Sequence, residues 1–256
     1  MNPIEEIEFL HAVHKNAPID LHSDILFGNL KVADLPFLDL YRECMASTNT
    51  GALGWKVFRR IQRAFHLGRY VRYAAKLPGN KIECGVCTGF SALMSCKILG
   101  RLSHEFNGAG FYLCDSFEGL SQPVEKDYIE VIGPDGNANK YSTHSKGHFA
   151  VDDATVASRF SEYPGITLVK GWIPEVLAQL PETKWSYVHI DVDLYEPTLA
   201  CLNYFYPRLV NGGVILNDDF GSPLFPGGGK SWKDFFEARG GAYVVLDTGQ
   251  SVYIKT

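Results

Sequence analysis

Two short apolar segments that each end in carboxylates constrain the fold of this chain more than any other feature. The apolar run 185–188 leads into His-Ile-Asp-Val-Asp at 189–193, and the run 212–216 leads into Asn-Asp-Asp at 217–219. An amphipathic helix pattern over 196–209 connects the two segments. This arrangement predicts a β-α-β crossover whose two strands are parallel and adjacent.

The acidic ends of these strands predict a bound cation. Adjacent strands lie about 4.8 Å apart, so we expect Asp191, Asp218 and Asp219 to meet at one edge of the sheet. Like charges at that distance repel each other unless a cation lies between them. A hard divalent metal is the simplest interpretation of three such carboxylates.

Composition argues against several classes of function. The chain has 256 residues and a net charge of −5, which fits one α/β domain with an appendage and favours neither nucleic acid nor a membrane surface as partner. No apolar run approaches the roughly 20 residues of a membrane span, and residues 1–8 lack the layout of a secretory signal. The six cysteines are scattered rather than arranged as a disulfide framework. We therefore expect a cytoplasmic enzyme with reduced thiols.

Strand and helix patterns alternate from residue 81 onward. Residues 1–80 carry helical patterns without a convincing strand, and we expect a helical extension that acts as a lid or dimer contact, followed by a main domain over 81–256. The alternation predicts an α/β fold with a doubly wound, mostly parallel sheet, closed by a C-terminal antiparallel hairpin. Besides the crossover, strands are predicted at 81–86, 110–114, 166–169, 242–246 and 251–254, and helices at 91–99, 154–163, 174–180 and 231–238. Two long loops, 121–148 and 221–230, are expected to form a lid or a substrate wall or to be disordered.

One helix of the N-terminal region, predicted over 55–76, has a strongly basic face. Its arginines are Arg59, Arg60, Arg63, Arg69 and Arg72. A solvated surface is the first interpretation of such a face, and contact with an anion or a carboxylate is the second.

The turn after the first predicted strand favours a cationic cofactor. Gly85 and Gly89 flank a tight strand-to-helix turn, which lets the backbone approach a ligand at the helix N-terminus. A dinucleotide fingerprint would need a third glycine. Glu83 at the strand end would repel a pyrophosphate but suits an amine, and S-adenosylmethionine carries an ammonium and a sulfonium without a phosphate. Cys84 and Cys87 have the spacing of a redox or zinc pair, but no second such pair follows and the glycine turn already explains the segment.

The ends of the next two strands extend the predicted cofactor site. Asp115 follows the second strand, where a Rossmann-like site holds ribose hydroxyls, and an N-cap role for the following turn is the alternative. Trp172 follows the third strand, where it would line an adenine pocket or fill the core.

Together these segments resemble the macrocin O-methyltransferase (TylF-type) family, which methylates sugar hydroxyls of natural products. The segments similar to the family's motifs are 77–86, 115–120, 170–172, 189–196 and 212–219. The resemblance implies a Rossmann-like class I methyltransferase with a mostly parallel, seven-stranded sheet. It also implies S-adenosylmethionine and Mg²⁺ as cofactors and a sugar or glycoside as acceptor. We further expect a homo-oligomer, since the helical first 80 residues could supply a dimer interface.

The resemblance assigns roles to individual residues. It implies that Asp191, Asp218 and Asp219 bind Mg²⁺, and that Asp193, or Asp191 itself, is the general base. The methyl donor would be held by Glu83, Gly85, Val86, Thr88, Gly89, Ser91, Asp115, Ser116, Gly171 and Trp172.

Three histidines are weaker candidates for a role in the site. His144 and His148 in the long loop are alternative bases or substrate contacts, although exposed loop histidines are the simpler interpretation. His189 lies just inside its strand end, so we expect it to be buried and hydrogen-bonded rather than a metal ligand.

Other interpretations of the same residues stay open. Asp191 and Asp193 form a D-x-D of the kind that holds a metal and a nucleotide sugar in glycosyltransferases, although Glu83, the glycine turn and the 218–219 pair would then have no role. A relative that binds S-adenosylmethionine without catalysis, or a hydroxylase-like enzyme that uses the same fold and cation, is the further alternative.

Overall fold

The computed structural model of the protein describes residues 35–50, 55–132, 137–142 and 144–256, with the side chains of 35–36 and 55–59 left out. Residues 1–34 of the predicted extension and the side chain of Arg59 therefore lie outside the described part. Within that part, no helix is both long and apolar enough to span a bilayer.

The helices and strands follow the predicted alternation. The helices are α1 (Leu35–Thr48), α2 (Trp55–Ala74), α3 (Phe90–Leu102), α4 (Asp153–Ser158), α5 (Tyr195–Phe205) and α6 (Pro226–Glu237). The strands are β1 (Asn80–Cys84), β2 (Phe111–Asp115), β3 (Ile129–Ile132), β4 (Ala138–Tyr141), β5 (Thr167–Lys170), β6 (Trp185–Ile190), β7 (Leu209–Asn217), β8 (Val244–Val245) and β9 (Ser251–Ile254). Short 3₁₀ helices cover Glu125–Asp127, Glu175–Gln179 and Tyr206–Arg208.

Seven strands form one sheet in the order β5-β2-β1-β6-β7-β9-β8. The pairs from β5 to β7 are parallel, and β9 runs antiparallel to both β7 and β8. The strand order reverses direction between β1 and β6, and the carboxyl ends of strands at such a point open a crevice for a ligand. The predicted doubly wound, mostly parallel, seven-stranded sheet with a C-terminal antiparallel pair is confirmed.

The sheet is covered on both faces. One hydrophobic cluster joins α1, α2 and α3 to inward side chains such as Leu113, Tyr187 and Leu216. The other joins α5 and α6 to the opposite side chains of the same strands, among them Val188 and Ile215. Because successive strand residues point to opposite faces, this alternation decides which helix each side chain at the strand ends will meet.

The described part of the N-terminal region is built into the domain. On α2, buried apolar residues recur at helical spacing: Ile61, Ala64, Leu67 and Val71. This face packs against α3 and β7. Side chains on the rest of α2 can therefore reach the carboxyl end of β7.

Both predicted loops contain regular structure, which corrects the sequence-based expectation. The segment 121–148 includes the antiparallel pair β3–β4, whose residues are mostly exposed on both faces. β3 is rich in β-branched residues but has only four residues, and its partner β4 (Ala-Asn-Lys-Tyr) is mostly polar, so the hairpin has no second apolar run that would indicate a strand pair.

The helix expected at 231–238 begins earlier, at Pro226. Proline suits the first turn of a helix, and the three glycines that follow are required by close packing. A Cβ on Gly227 would lie 1.8 Å from Asp127 Oδ1, and one on Gly229 would lie 2.1 Å from the Phe220 carbonyl oxygen. The glycine run therefore marks close contacts inside a helix rather than a loop.

Two further helices are shorter or tighter than predicted. The segment 154–163 is α-helical only to Ser158, after which the chain continues in turns with i→i−3 hydrogen bonds, for example from Tyr163 N–H to the Phe160 carbonyl. The segment 174–180 forms a 3₁₀ helix over Glu175–Gln179.

Candidate active site

A cleft of about 1000 Å³ opens at the carboxyl ends of β1, β2, β6 and β7. It is bounded by the glycine turn after β1, the segment after β2, the acidic ends of β6 and β7, and residues of α2. Its position matches the ligand crevice expected where the strand order reverses.

The glycine turn has a backbone that only glycine can supply. Gly85 has φ +86°, and a Cβ there would lie 1.8 Å from the carbonyl oxygen of Asp191. Gly89 has φ +81° at the N-cap of α3. The turn therefore brings the N-terminus of α3 close to the end of β6.

Asp115 holds the glycine turn in place. Its Oδ2 accepts hydrogen bonds from the backbone N–H groups of Val86 (2.6 Å) and Cys87 (2.9 Å), and its Oδ1 accepts one from Phe117 (2.7 Å). An ionised carboxylate has about four acceptor positions, so one remains for a ligand in the cleft.

Most of the residues expected to hold the methyl donor line this cleft: Gly85, Val86, Thr88, Ser91, Asp115, Ser116, Gly171 and Trp172. Gly89 and Glu83 lie behind this lining. Gly89 shapes the turn, and a Cβ there would meet the Phe160 ring at 3.2 Å.

Glu83 is fully buried behind Ser91 instead of facing the cleft directly. Its Oε1 accepts a hydrogen bond from Ser91 Oγ (2.7 Å), and its Oε2 lies 3.2 Å from His189 Nδ1. His189 is also buried, as expected. Burial alone would lower the pKa of His189, but the neighbouring carboxylates of Asp218 and Glu83 raise it well above the usual value.

Four aspartates converge at the ends of β6 and β7. Two groups share Asp191: one contains His189 and Asp218, and the other contains Asp193 and Asp219. In each group the potential ligand atoms lie within 4.8 Å of one another. The structure therefore places Asp218 and Asp219 each near Asp191 but in separate groups, and Asp193 belongs to the group that contains Asp219.

The alternation of side chains along β7 separates the two neighbouring aspartates. Leu216 faces the α2 side of the sheet, and Asp218, two residues later, meets α2 through Arg63. Asp219 turns to the other side, where a Cβ on Gly228 of α6 would lie 2.8 Å from its own Cβ. Its Oδ2 accepts a hydrogen bond from the backbone N–H of Asp193 (2.9 Å).

Charge repulsion within this cluster is strong. Burial and the charges of Asp218 and Asp219 raise the pKa of Asp191 well above its usual value. Burial and Asp218 raise the pKa of Asp219 to about 6. Burial would also raise the pKa of Asp218, but the Arg63 guanidinium and His189 hold it well below its usual range.

Arg63 is a member of the site that the sequence did not single out. Its guanidinium donates to the Asp218 carboxylate and lies 4.0 Å from Asp219 Oδ1. The second interpretation of the basic helix face, contact with a carboxylate, therefore holds for this residue, while Arg69 and Arg72 are exposed. Arg63 adjoins the buried Ala64, and its position next to the apolar stripe of α2 is the sequence feature that could have identified it as a residue of the site.

Gln250 is a second unpredicted member. It is fully buried, and its Nε2 donates to Asp218 Oδ1 at 2.6 Å. It comes from the turn between β8 and β9, so the antiparallel hairpin contributes directly to the site. A lone glutamine in a turn carries no sequence signal of this role.

His144 and His148 lie on the outer wall of the cleft. The His144 ring stacks on Phe225 with a centroid distance of 4.1 Å, and His148 lies 4.6 Å from His144. Burial and the neighbouring His148 lower the pKa of His144. His144 therefore lies among aromatic rings, whereas Asp193 lies within the acidic cluster.

The donor set fits a hard divalent cation. Carboxylate oxygens are the ligands that Mg²⁺ prefers, at about 2.1 Å, so oxygens around one ion lie up to about 4.2 Å apart. The oxygens of Asp191, Asp193 and Asp219 already lie within 4.8 Å of one another. A small closing movement would complete the shell, with water at the remaining positions.

Comparison with curated proteins identifies relatives over part of the chain. Demethyldecarbamoylnovobiocin O-methyltransferase of Streptomyces niveus is 27% identical over 151 residues, which are 56% of this chain and 53% of that protein. The 8-demethyl-8-(2,3-dimethoxy-alpha-L-rhamnosyl)-tetracenomycin-C 4'-O-methyltransferase of Streptomyces olivaceus is 28% identical over 151 residues, 56% of this chain and 54% of that protein. The chain thus spans about half the length of the curated relatives it matches.

A solved structure supports the fold, and a family profile covers most of the chain. The crystal structure of a calicheamicin methyltransferase superposes with a TM-score of 0.62 at 20% identity, over 86% of this chain and 93% of that one. Residues 54–245 match the Macrocin-O-methyltransferase (TylF) family. Since the match takes in the glycine turn and both acidic strand ends, this chain belongs to the Macrocin-O-methyltransferase (TylF) family.

Proposed function

We propose that this chain transfers the methyl group of S-adenosylmethionine to a hydroxyl group of a sugar or glycosylated small molecule, with Mg²⁺ bound at the acidic cluster. The observation that carries the proposal is the convergence of four aspartates beside a glycine turn in one cleft. Family membership supports the reaction class, and the name of one relative specifies a rhamnosyl compound as its substrate.

The methyl donor is assigned to the β1–β2 side of the cleft. Asp115 would use its remaining acceptor position for a ribose hydroxyl. The N-terminus of α3 and the backbone of 85–89 would contact the polar end of the donor. Glu83, which lies behind the lining, would act through Ser91, to which it is hydrogen-bonded.

The acceptor hydroxyl is assigned to the β6–β7 side. When bound, Mg²⁺ would orient the hydroxyl and make its proton more acidic. Asp191 and Asp219 would hold the ion, and Asp218 would join them where Arg63 gives up part of its contact. Asp193, beside them, would accept the proton of the hydroxyl. The backbone of Asp193 is fixed at both ends: its N–H donates to Asp219, and its carbonyl accepts a 3.1 Å hydrogen bond from Gly228. A base held in this way keeps its distance to the ligand set.

Helix α2 and the residues that follow α1 would form part of the acceptor site. Asn49, Thr50 and Arg63 line the cleft, and Thr50 Oγ1 lies 2.8 Å from Thr88 Oγ1 in the glycine turn. The predicted roles of residues 1–80 as a lid or dimer contact, the homo-oligomer and the cytoplasmic location stay predictions, and light scattering on the purified protein would test the oligomer.

The experiment combines donor binding with methyl transfer. Calorimetry with S-adenosylhomocysteine measures the donor site, and radiolabelled S-adenosylmethionine with a panel of glycosides measures transfer, with Mg²⁺ or with EDTA. We expect donor binding under both conditions and transfer only with Mg²⁺. Asp193→Asn should lower the rate about 10²- to 10⁴-fold without changing donor affinity, whereas Asp39→Asn on α1, whose side chain is 73% exposed, should change neither.

Binding of a UDP-sugar in place of S-adenosylhomocysteine would overturn the proposal in favour of a glycosyltransferase. Donor binding with no transfer to any glycoside would instead favour a non-catalytic relative. Full transfer by Asp193→Asn would remove that residue as the base.

A further inference from the structure

Four aromatic rings form one wall of the cleft. They are His144, His148, Phe149 and Phe225. The His144 ring is stacked on Phe225 at 29° between planes, and His148 meets both His144 (77°) and Phe149 (76°) edge to face. The wall therefore offers both ring faces and ring edges to a ligand.

This wall is attached to the two halves of the site. The His148 carbonyl accepts a 2.8 Å hydrogen bond from Leu120 N–H, in the segment that follows β2 on the donor side. Phe225 precedes Gly228 by three residues, and Gly228 N–H donates to the Asp193 carbonyl at 3.1 Å. Three residues span at most about 11 Å, so one small molecule can contact both the ring of Phe225 and the acidic cluster.

The wall also exposes more apolar surface than packing alone requires. Phe149 is 45% exposed, and Leu224, the residue before Phe225, is 48% exposed, although both line the cleft. Phe149 has φ +69°, a backbone conformation that L-residues rarely adopt. Contiguous exposed carbon surface at the rim of a cleft marks a ligand contact.

We propose that these four rings form a slot that holds a flat aromatic portion of the acceptor, while the acidic cluster holds its hydroxyl. The inference rests on the proposed function and adds the chemical class of the group that adjoins the sugar. A planar ring can be offset-stacked on Phe225 or His144 and meet the edges of His148 and Phe149, the arrangements that aromatic pairs prefer. Burial and the neighbouring His148 lower the pKa of His144, which favours the uncharged ring.

The test uses two probes that differ only in aromaticity. The 2-naphthyl and the decahydro-2-naphthyl β-D-glucosides share the sugar and nearly the same carbon skeleton, and their Kd values are measured by calorimetry with S-adenosylhomocysteine and Mg²⁺ present. We expect the naphthyl compound to bind about 5-fold more tightly, which corresponds to about 1 kcal/mol. Phe225→Leu and Phe149→Leu each keep apolar volume but remove a ring, and should reduce the preference to less than 2-fold.

The control is Tyr141→Leu, which removes an exposed ring on β4 outside the cleft lining and should leave the preference unchanged. Thermal melting of each variant establishes that it is folded. Equal affinities of the two probes in the wild type, no detectable binding of either, or a preference that survives both substitutions would overturn the slot. Donor binding is scored separately: if S-adenosylhomocysteine binds and the preference is absent, the slot fails alone, and if the preference is present without donor binding, methyl transfer fails alone.

Discussion

Replacing Arg63 by glutamine tests whether the guanidinium and a metal ion share the same carboxylates. The Arg63 side chain is 25% exposed and that of Asp218 is 15% exposed, so the ion pair is neither a surface pair nor fully buried. Glutamine keeps a polar side chain, two bonds shorter than that of arginine, and removes the charge and the fork of donors.

The magnitude follows from what remains around Asp218. Removing one partner of a buried ion pair costs about 3–5 kcal/mol, whereas exposed pairs contribute about 0–1 kcal/mol. Asp218 keeps the 2.6 Å hydrogen bond from Gln250 and has His189 Nε2 at 3.6 Å. Without Mg²⁺ we therefore expect Arg63→Gln to lower the free energy of unfolding by about 2–3 kcal/mol.

The same substitution should strengthen Mg²⁺ binding. Two unit charges about 4 Å apart interact by about 4 kcal/mol at an effective dielectric constant near 20, so the guanidinium opposes a divalent ion beside it. Relief of more than about 1.4 kcal/mol would lower the Kd for Mg²⁺ at least tenfold. Because ligand binding adds to the stability of the folded state, the stability deficit of the variant should shrink by a similar amount in saturating Mg²⁺.

Urea unfolding followed by tryptophan fluorescence, in EDTA and in Mg²⁺, measures both effects, and calorimetry gives the Kd for Mg²⁺ directly. Arg72→Gln is the matched control, since Arg72 is exposed on the same helix. A loss no larger than that of Arg72→Gln would show that the ion pair with Asp218 is energetically unimportant. A deficit that is identical with and without Mg²⁺ would show that the guanidinium and the metal do not share the site.

Three further substitutions address other parts of the site. Asp219→Ala should abolish Mg²⁺-dependent stabilisation and transfer while donor affinity persists, and transfer at the wild-type rate without added Mg²⁺ would refute the metal assignment. Asp115→Ala should raise the Kd of S-adenosylhomocysteine at least tenfold, because the carboxylate orders the glycine turn and lines the cleft, and an unchanged calorimetric Kd would remove it from the donor site. Gly85→Ala should cost about 3 kcal/mol or more in urea unfolding, since its Cβ would lie 1.8 Å from Asp191 O. Gly240→Ala, with φ +61° and open space around it, should cost only about 1–2 kcal/mol, and equal losses would contradict the contact argument.

The sheet could be predicted from the sequence because its strands carry a strong local signal. The runs that became β6 and β7 are mostly apolar and are followed by carboxylates, and β1 is followed by the glycine turn. These flanking residues indicate where each strand ends. The hairpin β3–β4 is short, and its second strand is mostly polar and exposed, so the sequence does not indicate a pair of strands there. The glycine run 227–229 predicted a loop, although it lies in α6. These glycines are required by close contacts with distant atoms such as Asp127 Oδ1, and a local sequence pattern does not contain such contacts.

The candidate site likewise contains residues that local sequence patterns predict and residues whose roles depend on distant contacts. The sequence predicts that the carboxylates of Asp191, Asp218 and Asp219 lie near one another, because parallel neighbouring strands end at the same edge of the sheet. Arg63 and Gln250 reach Asp218 from 155 and 32 residues away in the chain. Their roles depend on how α2 and the β8–β9 turn pack on the sheet, and single-sequence patterns do not contain that packing.

The partners of the two adjacent aspartates explain how one pair of residues can serve two purposes. Asp218 is balanced by Arg63 and His189 on the α2 side, so its negative charge is compensated within the protein. On the α6 side, Asp219 has the backbone N–H of Asp193 and the carboxylates of Asp191 and Asp193. The carboxylates of Asp191, Asp193 and Asp219 are compensated less closely, since the Arg63 guanidinium lies 4.0 Å from Asp219 Oδ1, and a divalent ion would be attracted there first. Recruiting Asp218 as well would require Arg63 to give up part of its contact, and since Arg63 belongs to α2, occupancy of the metal site would be coupled to the helix that borders the cleft.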